Sequence, residues 1–169
     1  MNIVLIGHAG TGKTTVGKLL ADKLGRTFVD TDAIIEAREG CSLKRIVQTH
    51  GAQYVRKVED ALVVEISTYD NCVIAAGATV PLNIENYAFL KRNGVIICLT
   101  AEPAIIILRT TPGRESSMLL KSANAIGTIR QILKEREPHY SRADYTIDTS
   151  ELSPEQVVEK ILHLIETGH

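Results

Sequence analysis

The group best suited to chemistry is a lysine set between glycine and threonine near the start of the chain. Gly7-His8-Ala9-Gly10-Thr11-Gly12-Lys13-Thr14-Thr15 satisfies the pattern G-x-x-x-x-G-K-[ST] at every fixed position. Glycines let successive backbone N–H groups converge on one anion. A helix starting where the loop ends adds the positive end of its dipole. In such a loop Gly10, Thr11, Gly12 and Thr15 would wrap the phosphates of a nucleoside triphosphate. Lys13 would reach the β- and γ-phosphates, and Thr14 would offer its hydroxyl to Mg2+.

Two further groups give this loop a partner chemistry. Asp30-Thr31-Asp32 falls where a short strand, 27–29, meets the next helix. In open α/β sheets that edge is where ligands bind. Asp30 could hold Mg2+ through water. Asp32 could accept hydrogen bonds from substrate hydroxyls and help to deprotonate an attacking one. The same two acids could instead cap the helix that follows. Arg56 and Arg136 are candidate anion clamps, because a guanidinium fork matches a carboxylate bidentately and an ammonium does not. Glu59 sits three residues after Arg56 on one side of a helix, where it could hold Arg56 in position.

The elements that must position these groups are readable in order. Ile3-Val4-Leu5-Ile6 is a buried strand, and the helix after the loop carries the apolar stripe Val16, Leu19, Leu20 and Leu24. Helices are predicted over 33–39, 42–50 and 52–68, the last with a stripe of Val55, Val58, Leu62 and Ile66. Cys72–Ala76 and Val95–Leu99 are continuous apolar runs, as buried parallel strands are. Helices over 83–91, 102–109 and 126–141 follow, then a strand over 145–148. Ser153-Pro154-Glu155-Gln156 opens a last helix with cap, proline and glutamine in the right places. Between them, 110–124 is rich in Thr, Pro, Gly and Ser and long enough for a mobile lid. Strand and helix alternate throughout. This predicts an α/β domain over 1–169, with a parallel sheet covered by helices on both faces.

Composition removes several classes of function. The formal net charge of -1 leaves no electrostatic footprint for nucleic acid or an anionic membrane. No apolar run is long enough for a membrane span, and no basic-then-apolar leader is visible. Three scattered cysteines without C-x-x-C argue against a disulfide framework or a zinc site. Cys72 and Cys98 read as small buried hydrophobes. The chain is thus expected to be cytoplasmic, and monomeric. The guanine-reading pattern N-K-x-D is absent, and the chain is short for a motor. A kinase for a small polar molecule remains.

The chain resembles the shikimate kinase family along nearly its whole length. The matching stretches are GHAGTGKTTVGKLLADKLG, FVDTDAIIE, GAQYVRKVE, VIAAG, LKEREPHYSRADYTIDTS and SPEQVVEKIL. The resemblance implies the three-layer P-loop kinase fold, with five parallel strands in the order 2-3-1-4-5. It implies ATP as co-substrate, Mg2+ as cofactor, and phosphorylation of the 3-hydroxyl of shikimate on the route to chorismate and aromatic amino acids. Carried over by position, Asp32, Gly77 and Ala78 would face the substrate, and Arg56 and Arg136 would bind its carboxylate. Thr14 and Asp30 would serve the metal, and Lys13 the phosphates. Arg109 would lie near the adenine, with the 149–154 loop as its other wall.

Three departures fall at the acceptor end. The family's Gly-Gly-Gly after the third strand is Gly77-Ala78-Thr79 here, and its Gly-Glu before Arg56 is Gly51-Ala52. The family's lid Arg-Pro-Leu-Leu is Ser117-Met118-Leu119-Leu120, leaving Arg114 as the candidate substitute for the catalytic lid arginine. Two other readings therefore stand beside the first. One is a related kinase for another small hydroxylated acid. The other is a weakly active nucleotide-binding module.

Overall fold

Five short apolar runs fix the architecture. In the computed structural model, which describes residues 1–111 and 123–168, β1 (Asn2–Ile6) is buried along its whole length. It pairs in parallel with β3 (Cys72–Ala75) on one side and β4 (Gly94–Thr100) on the other. β2 (Thr27–Asp30) joins the far edge of β3, and β5 (Tyr145–Asp148) the far edge of β4. The order is β2-β3-β1-β4-β5, the one the resemblance implies.

Alternation along β1 sorts the core into two layers. Val4 and Ile6 face a cluster with Ile35 of α2 (Thr31–Glu39), Ile46 of α3 (Leu43–His50) and Leu62 of α4 (Ala52–Ile66). Tyr87 of α5 (Ile84–Arg92) and Tyr140 of α7 (Ala123–Tyr140) complete that layer. Ile3 and Leu5 face the other way, onto Val16 and Leu20 of α1 (Lys13–Leu24) and Val157 and Ile161 of α8 (Pro154–Thr167). The remaining described helix, α6 (Pro103–Thr110), follows β4. Among the described residues no helix is long and apolar enough to cross a membrane.

Several predicted details shift, each for a packing reason. On α1 the buried stripe includes Gly17 and Ala21, while Leu24 is 37% exposed at the last turn. Gly17 is needed there because a Cβ would stand 2.5 Å from the Phe28 ring. On α4 the inward face includes Glu59 and Val63, with Val58 only half-buried. A short 3-10 turn, Val80–Leu82, intervenes before α5. α2 starts at Thr31, two residues early, since the Asp30 carboxylate caps it by accepting from the Ala33 N–H at 3.2 Å. Both cysteines expected in the core, Cys72 and Cys98, are buried. Of the predicted 110–124 lid, Thr110 belongs to α6 and Ala123 and Asn124 to α7. Arg114 and Ser117 lie outside the described residues.

Candidate active site

The parallel strands all point their C-terminal ends at one edge, and the chemistry collects there. The loop between β1 and α1 is shaped by three glycines in backbone conformations that disfavour side chains, at φ 140 (Gly7), 85 (Gly10) and 102 (Gly12). At Gly7 the need is also spatial, since a Cβ would stand 2.2 Å from the Leu99 carbonyl oxygen. Gly12 is the N-cap of α1 and has no side chain to satisfy the first N–H groups of the helix, so they face outward to an incoming anion. Thr11 is buried, its hydroxyl donating to the His8 carbonyl at 2.9 Å.

Lys13 turns its ammonium group under this loop, donating to the carbonyls of Gly7 at 2.6 Å and His8 at 3.0 Å. Burial draws its pKa down to about 8, against the pull of the Asp32 charge. Thr14, the next residue of α1, reaches the end of β2. Its hydroxyl donates to the second oxygen of Asp30 at 2.9 Å. Asp30 thus caps α2 with one oxygen and meets Thr14 with the other.

Asp32, in the first turn of α2, faces the same cleft. Burial raises its pKa above the usual carboxylate range, and the Asp30 charge adds to the rise while Lys13 opposes it. Its carboxylate lies against the backbone of Gly77: a Cβ at residue 77 would be 2.3 Å from Oδ1. The turn after β3 is held at two backbone points. The Gly77 N–H donates to the Thr31 hydroxyl at 2.8 Å, and the Tyr140 hydroxyl donates to the Ala78 carbonyl at 2.8 Å.

A cleft of about 660 Å³ joins these groups, running from Asp32 and Ala78 over the phosphate loop to Leu152 and Pro154. Its far wall is built by Arg109, which donates to the Thr149 hydroxyl at 2.9 Å and the Thr149 carbonyl at 2.7 Å. Thr149 is only 2% exposed, and its hydroxyl also lies 2.9 Å from the Thr11 carbonyl and 3.0 Å from that of Thr100. One side chain therefore ties β4, the phosphate loop and α6 together. Sequence reasoning placed the 149–154 loop here but missed this joint. The available signal was a polar residue just past the end of a parallel strand.

The two arginines expected to clamp an anion stand apart from the cleft lining. Arg136, on α7, is half-buried; its charge reaches Lys13 and His8, and its guanidinium approaches the Tyr140 hydroxyl. Arg56, on α4, is exposed and forms no hydrogen bond or ion pair with a described residue. The expected Arg56–Glu59 brace is not formed: both oxygens of Glu59 take the Thr79 hydroxyl instead, at 2.8 and 2.9 Å. The described residues contain no cluster of three His, Cys, Asp or Glu side chains able to hold a metal alone. The oxygen donors Thr14 and Asp30 suit a small hard cation that takes its other ligands from phosphates and water.

The chain is similar to members of one family along nearly its whole length. A family model described as shikimate kinase matches residues 9–166. The shikimate kinase of Caldanaerobacter subterraneus subsp. tengcongensis is 46% identical over 161 residues, spanning 95% of this chain and 94% of the relative. That of Thermoanaerobacter pseudethanolicus is 44% identical over 161 residues, with the same shares of 95% and 94%. Among solved structures, shikimate kinase from Acinetobacter baumannii in complex with shikimate superposes with a TM-score of 0.88 at 34% identity, covering 99% of this chain and 93% of that one. The Aquifex aeolicus shikimate kinase gives a TM-score of 0.84 at 32% identity over 99% of this chain and 98% of that one.

Proposed function

The chain belongs to the shikimate kinase family, and on that premise we propose that its cleft phosphorylates the 3-hydroxyl of shikimate with the residues just described. It is a phosphotransferase of the shikimate pathway that uses ATP. The observation that carries the residue assignment is the placement of Lys13 and Asp32 in one cleft, close enough for each charge to move the other's titration.

In this reading the backbone of Gly10, Thr11 and Gly12, with Thr15 at the start of α1, grips the phosphates, and Arg109 with Leu152 and Pro154 borders the base. Lys13 moves from the loop carbonyls to the β- and γ-phosphate oxygens, where its charge offsets the charge on the transferring group. Asp32 accepts a hydrogen bond from the acceptor hydroxyl and takes its proton as the oxygen attacks the γ-phosphorus. The bond from that phosphorus to the β–γ bridging oxygen breaks, and ADP leaves. The elevated pKa of Asp32 makes it a stronger base than an exposed aspartate. Thr14 and Asp30 would hold Mg2+, which would supply positive charge to offset that of the phosphates. Arg56 and Arg136 receive the carboxylate of shikimate, with Gly77 and Ala78 lining the approach. Arg114 is assigned the role of lid arginine. The protein works as a single cytoplasmic domain and a monomer, without nucleic acid or membrane partners.

Coupled detection of ADP release, with and without shikimate, tests this reading. Shikimate is expected to stimulate turnover strongly, and a rate unchanged by shikimate would overturn it. Arg136→Ala is expected to raise the KM for shikimate by about 100-fold, the order of one lost charge-assisted bidentate contact, with the KM for ATP little changed. An unaltered KM for shikimate would remove Arg136 from the clamp.

A further inference from the structure

The far wall of the cleft is built around one threonine. Thr149 follows β5 directly, and its backbone is fixed there, its N–H donating to the Thr100 carbonyl at 2.8 Å. A guanidinium only donates, so the Thr149 hydroxyl proton goes to a carbonyl, that of Thr11 at 2.9 Å or Thr100 at 3.0 Å. The hydroxyl oxygen is left to accept from Arg109 Nη1 at 2.9 Å. The Thr149 carbonyl accepts from Arg109 Nη2 at 2.7 Å and from the Leu152 N–H at 3.2 Å. Arg109 and Leu152, which face each other across the base end of the cleft lining, thus hang from the same residue. Arg109 forms no ion pair with a described residue, so hydrogen bonds alone set its orientation. A planar group held at two atoms keeps its plane, and one held at a single atom turns about that bond. The hydroxyl supplies the hold on Nη1. Its other described partner, the Gly10 carbonyl, is at 3.3 Å, beyond the ordinary range. A guanidinium fixed along its edge presents its face to a flat ring.

We propose that Thr149 is a positioning residue for the nucleotide base: its hydroxyl fixes the plane of the Arg109 guanidinium, and the purine of ATP stacks on that plane. This rests on the assignment of Arg109 to the base made above. The hydroxyl acts through Arg109 and not through the phosphate loop. Thr11 keeps its own anchor without it, donating its hydroxyl to the His8 carbonyl at 2.9 Å. A serine at 149 supplies the same oxygen. A valine has the same shape but no acceptor, so Nη1 is left with the distant Gly10 carbonyl and the guanidinium swings about its Nη2 bond.

Calorimetry of the full chain tests this, with ADP titrated directly and inorganic pyrophosphate measured by its displacement of ADP. Thr149→Val is expected to weaken ADP by about tenfold, the order of one lost hydrogen bond to a charged group, and to leave pyrophosphate within about twofold of the parent. Thr149→Ser is expected to stay within about twofold for both ligands. Arg109→Ala should weaken ADP and spare pyrophosphate, and adding Thr149→Val to it should cost nothing further, because the two substitutions remove one platform. Parental ADP affinity in Thr149→Val would overturn the proposal. So would equal weakening of pyrophosphate, which would mean that the hydroxyl acts on the phosphate loop. Equal impairment in Thr149→Ser, or an additive loss in the double variant, would overturn it as well. Should Thr149→Val fail to fold by thermal melting, Thr149→Ala is read against Thr149→Ser in its place, with the same expectations. Parental ADP affinity in Arg109→Ala would overturn the assignment of Arg109 to the base and this proposal together. Weakened ADP in Arg109→Ala with parental affinity in the valine variant would overturn this proposal alone.

Discussion

Lys13→Met is expected to abolish phosphoryl transfer and, at the same time, to raise the melting temperature of the free protein. The loss follows from position: Lys13 is the cation of a loop whose other donors are backbone N–H groups. Removing one preorganised donor from developing charge costs about 10³-fold in kcat. The gain in stability follows from burial, which lowers the Lys13 pKa from 10.5 to about 8. The folded state therefore binds fewer protons than the unfolded state between those two values. Stability rises with pH through that window, and below it the charged form carries its full destabilising cost. Methionine removes the cost but leaves the Gly7 and His8 carbonyls without their donor. The net gain is about 1–2 kcal/mol, or roughly 3–6 °C in Tm. The parent enzyme offers a companion measurement. Its kcat/KM for ATP reports the free enzyme and should fall above pH about 8, as Lys13 loses its charge. A variant that is inactive and less stable than the parent, or a flat profile through that range, would show that the ammonium group is not held as described.

The parts of this site that could be read in the sequence are those set by local spacing. The phosphate loop is one continuous segment between a strand and a helix, so pattern and context coincide. Asp30 and Asp32 are legible because the end of β2 lies on the ligand edge of the sheet whatever packs around it. The strand order comes from the resemblance and the five apolar runs agree with it. Contacts between segments distant in sequence were not legible. Glu59 and Thr79 are on different elements, and helical spacing alone favours Glu59 with Arg56. Only the fold shows that a hydroxyl from beyond β3 reaches the carboxylate first. Tyr140 on the Ala78 carbonyl and Thr149 between Thr11 and Arg109 are hidden for the same reason. The stripe of α4 was read incompletely, since Val55, Leu62 and Ile66 are buried as expected but Glu59, a residue type seldom buried, also sits on the inner face and is satisfied there. At the site itself, what was missed is in each case a polar group whose partner is supplied by the tertiary structure.

Asp32→Asn is expected to lower kcat by about 10³-fold while leaving the KM for ATP near that of the parent, since the variant loses the proposed general base but no proposed phosphate contact. Its stability should hold or increase. The folded-state pKa of Asp32 is raised by burial and by Asp30, so the ionised carboxylate is a burden above that pKa, and the neutral amide lifts it. Gly77→Ala tests the same group from the other side. Its Cβ would lie 2.3 Å from Asp32 Oδ1, well inside contact distance. The pinned turn cannot retreat, because Thr31 and Tyr140 hold it. The Asp32 carboxylate must then move by about 1 Å, a displacement that costs about 100-fold in rate when it misplaces a reacting group. The clash lies away from the nucleotide, so the KM for ATP should again be preserved. The two substitutions act through one carboxylate, so their combination should be little worse than Asp32→Asn alone. Additive losses in the double variant would mean that the Gly77 backbone, and not its contact with Asp32, governs acceptor chemistry at this edge of the sheet.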